Sequence, residues 1–524
     1  MARNGRAADR TAKVVSMEGH SSGGDLTMRQ RHLVFTGMLI STFLSSLDGT
    51  AVSTALPTIA GELGGIDQLP WVLTAYLLGS VAATPLYGKL SDLYGRRLLT
   101  EIALAVFIVT SVMAAASQTM WQLIVSRGLQ GIGGGGLMAM GFIVIGDIFS
   151  PRERGKYMAY YTMNFSLAAL MGPVVGGVFT DLATWRWIFI INAPLGLVAM
   201  AVIHANLTFT LPEREHRLDV VGAGVLVTSV TALILGLALG GETYPWGSWQ
   251  VVALLVVAVA GAIFFIRWEL RAPEPVLPMR LFRNPTFRIL IGGNAVYGAA
   301  GMGMMSFFPL FFQVSLGEAA TTAGLIIASS SIAVSLGSYI SGRVTTGTGR
   351  YRIVLQTAPV LTAIAVFSFT FLDVNSSAYS AIPWLALMGV SMGLAFPTMT
   401  TAVQNSLALP DLGAGTAAIN FFRALGQTIG VGAFGALLTS RINRELADLS
   451  DTVDVDELLS TPEDIQALEP ELRSAVEAAV AVATNTIFWV TLPLIGLFVI
   501  ATRFLPELEL RTTTALAERR TEDA

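Results

Sequence analysis

The chain has 524 residues, of which 53% are hydrophobic and only 13% charged, with a mean hydropathy of +0.64 and a formal net charge of −4. A water-soluble core cannot hold that much apolar surface, so composition excludes a soluble globular protein and leaves an all-α integral membrane protein. Cysteine is absent, which excludes a disulfide framework and a thiolate metal site, and no nucleic-acid partner is expected.

Taken in chain order, residues 1–31 are polar, with scattered arginine and glycine and no apolar core. They form neither a signal peptide nor a span and read as a cytoplasmic tail. Apolar windows of about 20 residues, the length that crosses a bilayer, then recur at 33–60, 71–93, 98–116, 121–146, 154–180, 187–210, 218–239, 249–269, 287–313, 321–341, 353–372, 381–405, 413–439 and 482–504. The connections alternate in charge: 95–97, 151–154, 212–214 and 267–288 are arginine-rich, whereas 62–68, 241–248 and 373–380 carry no Lys or Arg. By the positive-inside rule both termini are cytoplasmic, and only an even number of spans satisfies that, which supports fourteen.

The spans group into a six-helix bundle at 32–210, two inserted linker helices at 211–280 and a second six-helix bundle at 281–505, with a cytoplasmic tail at 506–524. An external connection at 441–481 is long and acidic. Its apolar residues Leu458, Leu459, Ile465, Leu468 and Leu472 allow one or two amphipathic helices over the external mouth, with a solvated flexible loop as the alternative.

The first span contains Asp48, a carboxylate at hydrocarbon depth. A charge there costs a few kcal/mol by insertion scales, so such groups face a protein interior or an aqueous cavity and carry protons, ions or substrate. Arg127 in the fourth span and Arg423 in the thirteenth stand out for the same reason. Gly131, Gly133 and Gly136 satisfy G-x-G-x-x-G, but no strand precedes them and they lie within a span, so they are read as helix-packing residues. No G-x-x-x-x-G-K-[ST] occurs, which argues against ATP as the driver. The histidines at 20, 32, 204 and 216 lack metal-ligand spacing, and His204, in a span, is expected to pack or to sit at the interface.

An internal repeat follows the second and tenth spans, where Gly88 to Arg96 and Gly342 to Arg350 share G-[KR]-x-[ST]-x-x-x-G-R. Transporter folds are commonly built from such repeats, with the binding site at their interface near the midplane. In the first copy Gly88 and Gly95 permit a short turn beside Arg96 and Arg97. Asp92 at the helix end can accept hydrogen bonds from a basic residue or from another helix's N-terminus, latching the cytoplasmic side. The second copy has Thr346 in place of Asp92 and lacks an equal latch; a loop that merely sets topology is the plainer alternative. In the fifth span Gly172, Gly176 and Gly177 form a small-residue face for close helix approach, and Pro173 bends the helix by removing one hydrogen bond.

These segments carry a resemblance. Leu47-Asp48-Gly49-Thr50-Ala51-Val52 ending in Ala55-Leu56-Pro57, Gly88 to Arg97, Arg127-Gly128-Leu129-Gln130-Gly131-Ile132-Gly133 and Gly172-Pro173-Val174-Val175-Gly176-Gly177 resemble, in order and at the right spans, the signatures of the fourteen-span drug:proton antiporters of the major facilitator superfamily. One departure is Ala168, where the antiporter signature begins with glycine. The resemblance implies two pseudo-symmetric six-helix bundles plus two inserted helices, a loop latch that favours the outward-facing state, and a bent fifth helix that seals the halves against proton leak. It also implies a non-enzymatic monomer in the inner (cytoplasmic) membrane that exports lipophilic, often cationic drugs or antibiotics by alternating access. The proton gradient would drive it, without cofactor or metal. An exporter of a dedicated native metabolite or lipid is the alternative, and a membrane-embedded enzyme or sensor is a third class, against which no intramembrane catalytic constellation appears.

Asp48 and Arg127 are the expected coupling pair. Desolvation favours the neutral carboxyl and a nearby guanidinium the charged one, so a movement that separates them lets one state hold the proton and the other release it. A permanent ion pair, or Asp48 capping a neighbouring helix, is the competing reading. For substrate, the ninth span mixes thioethers and aromatic faces, which accommodate varied lipophilic molecules. Tyr297, Met305, Phe308 and Phe312 are the candidates there, with Asn164, Gln404 and Asn420 as polar partners. Arg423 joins them, although gating or packing suits its amide neighbours better.

Overall fold

The computed structural model describes residues 26–65, 68–207, 219–241, 243–446 and 470–510, and among these fourteen helices are long and apolar enough to cross a bilayer. In chain order they are α1 (Met28–Leu63), α2 (Leu69–Tyr94), α3 (Arg96–Ala115), α4 (Met120–Ile148), α5 (Pro151–Leu182), α6 (Arg186–Asn206), α7 (Val220–Leu239), α8 (Trp249–Glu269), α9 (Pro285–Ser315), α10 (Ala320–Thr348), α11 (Arg352–Phe369), α12 (Ala378–Ser406), α13 (Leu412–Glu445) and α14 (Pro470–Arg503). Helices this apolar keep every backbone hydrogen bond within the segment, which hydrocarbon demands. Their starts follow local chemistry. Thr27 and Gln30 form a capping box at α1, Ser150 caps α5 ahead of Pro151, and Asn284 caps α9 ahead of Pro285. The sixth span is broken at Ile191, and the ninth is interrupted by π-helical turns at Gly298–Gly303 and Phe311–Ser315.

The first six helices gather around α4, whose glycines let its neighbours close in. A Cβ at Gly131 or Gly135 would strike the backbone of α2 at Tyr76 or Ser80, and one at Gly133 would strike α3 at Phe107. The G-x-G-x-x-G run is therefore a packing surface. In the second set α10 packs on α12, α11 on α12 and α14, and α13 on α9. Helices α7 and α8 pack on each other, and α7 leans on both α2 and α13. The apolar core follows the same division: two clusters fill the first six helices, and a larger one fills the last six, extending to Leu226, Val230 and Ile234 of α7 and Val81 of α2.

The two sets meet through α2 with α13, α5 with α10 and α12, and α4 with α13. The tight approaches lie at the end that carries the arginine-rich loops. Gly88 abuts Ala417 and Gly413, Gly155 abuts Thr345, and Gly342 abuts Ala159. Toward the opposite end, α5 exposes Leu170, Val174 and Leu182.

Three boundaries differ from expectation. The flanks of the acidic connection are extensions of spans, since α13 runs to Glu445 and α14 starts at Pro470 with Leu472 in its first turn. The residues proposed for the lid, Leu458, Leu459, Ile465 and Leu468, lie outside the described residues. At the N-terminus, helix already begins at Met28, inside the stretch read as tail. The segment after α14 is docked: Tyr351 Oη donates to the Pro506 carbonyl at 2.8 Å, Asn405 Nδ2 to the Glu509 carbonyl at 3.2 Å, and Leu510 is buried.

Candidate functional site

Asp48 lies a little past the middle of α1 and is buried within the first six helices, among α1, α3, α4 and α6. Arg127 of α4, fully buried, donates through Nη1 to Asp48 Oδ2 and to Gln130 Oε1 (2.7 Å). Asp48 Oδ1 accepts from Gln130 Nε2 and from Asn192 Nδ2, each at 3.0 Å. Ser111 Oγ of α3 closes the knot by accepting from Gln130 Nε2 at 2.7 Å and Asn192 Nδ2 at 3.3 Å. The guanidinium carbon stands 4.4 Å from the centroid of the Tyr76 ring, and Tyr76 Oη bonds Ser45 Oγ of α1 at 2.8 Å. Three side chains thus donate to one carboxylate, with Ser111 bracing two of them, the furnishing a buried charge requires. Asp48 caps no helix, because its donors are side chains. Arg127 Nη2 and Asn192 Oδ1 are buried without a hydrogen-bond partner among the described residues, so the knot has one spare donor and one spare acceptor.

The sequence pairing of Asp48 with Arg127 is realised, but Ser111, Gln130 and Asn192 were not anticipated. Signals existed for two of them: Gln130 sits one helical turn after Arg127 on the same face, and Asn192 is an amide inside an apolar window.

The small-residue face of α5 bears on this site. A Cβ at Gly172 would strike Thr50 Oγ1, and one at Gly176 would lie 2.6 Å from the Ala51 carbonyl, so α5 presses α1 two and three residues beyond Asp48. Thr50 Oγ1 also donates to the carbonyl of Ala168 at 3.3 Å. Gly177 faces open space, and Pro173 is exposed within a continuous helix. The glycine face therefore engages α1 within the first bundle, not the second bundle as the seal between halves would require. The other end of the same helix, at Gly155 and Ala159, is what meets α10.

At the arginine-rich end the loop after α2 forms a buried charge cluster. Gly95 takes the left-handed φ of +92° that the turn into α3 needs. Arg96, fully buried, contacts Asp92 Oδ1 at 2.5 Å and Asp147 Oδ2 of α4 at 2.7 Å, and donates to Ser91 Oγ at 2.5 Å. Asp92 Oδ2 in turn accepts from the backbone amide of Ala414, in the first turn of α13, at 3.0 Å. A carboxylate on a helix N-terminus is favoured by the unpaired amides there. Gly88 makes room by sitting against Gly413 and Ala417. Arg97 does not join; it pairs with Glu101 at 2.9 Å and reaches His204, which itself contacts Glu101 at 3.0 Å. Asp147 is the member sequence reasoning missed.

The proposed substrate residues separate into three groups. Tyr297, Phe308 and Phe312 are buried in the second bundle: Tyr297 Oη bonds Ser391 at 3.0 Å and Thr362 at 3.2 Å, and Phe308 packs on Phe312, Phe369 and Phe488. In this conformation they are core and not wall; Met305 is only partly covered. Gln404 joins the bundles, donating to the Phe142 carbonyl of α4 at 3.1 Å and to Thr416 at 3.0 Å. Asn164 is tied to the Leu39 carbonyl at 3.0 Å, and Asn420 Oδ1 accepts from Arg423 at 2.9 Å.

Comparison with known proteins agrees with this architecture. The family profile described as Major Facilitator Superfamily matches residues 38–431. The chain is 37% identical over 424 residues to multidrug transporter protein MdtP of Bacillus subtilis (strain 168), covering 80% of this chain and 77% of that one. It is 34% identical to multidrug resistance protein 3 of the same organism (79% and 81% covered) and 34% identical to efflux pump FUS6 of Gibberella fujikuroi (80% and 77%). Among solved structures, the proton:xylose symporter XylE bound to 6-bromo-6-deoxy-D-glucose superposes with a TM-score of 0.57 over 94% of this chain and 99% of that one, at 14% identity. The human organic anion transporter MFSD10 gives 0.58 over 89% and 99%, also at 14% identity. With two bundles of membrane helices, an inserted pair and relatives that are transporters, this chain belongs to the major facilitator superfamily.

Proposed function

We propose that the protein is a proton-coupled exporter of lipophilic compounds, working by alternating access in the cytoplasmic membrane with its arginine-rich end inward. The observation that carries this reading is the Asp48–Arg127–Gln130–Asn192 knot, a single ionisable carboxylate buried at membrane depth beside the helix that also reaches the seam. Protonation cancels the charge that Arg127 pairs with and frees α1 to shift. Helix α5 is the rod that carries the shift: Gly172 and Gly176 rest on α1, and Gly155, about 26 Å along the helix, rests on α10. The cluster of Asp92, Arg96 and Asp147 on the first turn of α13 holds the inner end shut in the state described here. The names of the relatives, multidrug transporters and efflux pumps, support export and a lipophilic cargo. A second reading, export of one native metabolite, is favoured by the similarity to a transporter of the acurin A biosynthesis cluster of Aspergillus aculeatus, 33% identical over 429 residues.

The test is flux into proteoliposomes under an imposed pH gradient. Wild-type protein is expected to accumulate substrate only with the gradient, and Asp48→Asn to lose the gradient dependence while still binding substrate. Full gradient-driven accumulation by Asp48→Asn refutes the coupling role.

A further inference from the structure

Among the described residues the buried arginines are compensated, whereas the half-buried Arg423 of α13 is not paired with a carboxylate. Arg96 meets two carboxylates, Arg127 meets Asp48, and Arg154 donates to the carbonyls of Gly146 and Phe149. Arg423 has no carboxylate within ion-pair distance among the described residues. It lies eleven residues into α13, about 16 Å along the helix, which is mid-depth in a bilayer about 30 Å thick. The side chain is half-buried. Its guanidinium carbon stands 5.1 Å from the Phe396 ring of α12 and 5.8 Å from the Phe142 ring of α4, and Nη2 is held by Asn420 Oδ1 at 2.9 Å. The group therefore sits where the two bundles meet, just beyond the Gln404–Phe142 contact that joins them toward the arginine-rich end.

An uncompensated cation at that depth is costly, and ring faces return only part of the cost. No acidic side chain pairs with it among the described residues: Asp48 is committed to Arg127, Gln130 and Asn192, and Asp92 and Asp147 to Arg96 nearer the arginine-rich end. A lipophilic cation entering here meets a repelling charge and no free carboxylate. An anion meets a forked donor held in place by Asn420 between two aromatic faces.

We propose that Arg423 is a substrate-recognition residue and that the exported compounds carry an anionic group, a carboxylate, sulfonate or phosphate, docked on Arg423 with their apolar body against Phe142 and Phe396. This deepens the exporter reading and rests on it, and it replaces the expectation of cationic cargo.

The experiment uses full-length protein in detergent and three radiolabelled probes on one apolar scaffold: a lipophilic carboxylate, its methyl ester and its quaternary-ammonium isostere. Wild-type protein is expected to bind the carboxylate at least tenfold more tightly than the ester and the cation most weakly. Arg423→Gln is expected to abolish that margin without changing ester affinity, Arg423→Lys to keep part of it, and Arg444→Gln, at an exposed arginine of the same helix, to leave it intact. Equal binding of carboxylate and ester, preference for the cation, or a margin that survives Arg423→Gln overturns the inference. Should Arg423→Gln fail to fold, the wild-type margin and Arg423→Lys decide. Wild-type protein that binds none of the three in detergent and moves none of them into proteoliposomes defeats the exporter reading itself, whereas binding without carboxylate preference defeats only this inference.

Discussion

At the scale of single residues, the Asp48 knot makes a stability prediction that is independent of transport. Removing one partner of a buried ion pair leaves the other uncompensated, at a cost of about 3–5 kcal/mol. Arg127→Leu should therefore lower the thermal unfolding midpoint in detergent far more than the double variant Arg127→Leu/Asp48→Asn. Equal midpoints would show that Asp48 carries no charge in the folded state. Residues of this kind were legible because hydrocarbon makes each charge conspicuous: Asp48, Arg127 and Arg423 were found by depth alone. Their neutral partners were not, because an amide or hydroxyl in a span costs too little to stand out. Ser111 looks like any serine satisfied by its own helix, and it does donate to the Phe107 carbonyl at 2.7 Å while receiving Gln130 and Asn192. Tyr297, Phe308 and Phe312, expected at a pocket, lie in the core of the conformation described. Aromatic residues suit a pocket and a core equally, and only the path of the helix decides between them.

At the scale of elements, α5 is the instructive case. Its small residues were legible as a close-approach face, but the helix they approach was not, since spacing fixes a face and says nothing about what covers it. A matched pair of substitutions checks the assignment to α1. Gly172→Ala places a methyl on Thr50 and should destabilise by about 1–3 kcal/mol, the usual range for overpacking. Gly177→Ala, with nothing within 4 Å, should unfold at the wild-type temperature and transport normally. Identical behaviour of the two variants would contradict the α1–α5 contact. The extension of α14 back to Pro470 was hidden because Glu471 and Glu477 made its first turns look like loop.

At the scale of the whole molecule, the repeat and the count of spans gave the two-bundle plan, and what the sequence could not show was which end is closed. That follows from the contacts of Gly88, Asp92, Gly155, Gly342 and Gln404, all at the arginine-rich end. A hydrogen bond to a charged group contributes about 1.5–3 kcal/mol, so Asp92→Ala should shift the open-to-closed ratio at that end by roughly 10- to 100-fold. Spin labels on Leu98→Cys and Ile353→Cys, both exposed at that end, report the separation directly, and the absence of native cysteine means that no background sites need removal. An unchanged distance distribution would show that the latch does not set the balance.

The α7–α8 hairpin adds an asymmetry to this plan. Because Leu237 sits against Gly432 of α13, and Leu226 and Val230 share an apolar cluster with Val81 of α2, the hairpin roofs over one flank of the junction between bundles. For the exporter proposed above, a molecule dissolved among acyl chains would meet that flank covered, whereas on the other flank Val174 of α5 and Ile332 of α10 face outward. A membrane-partitioning photoprobe should accordingly label α5 and α10 in preference to α2 and α13, and equal labelling of the two flanks would show that the hairpin sets no preferred side.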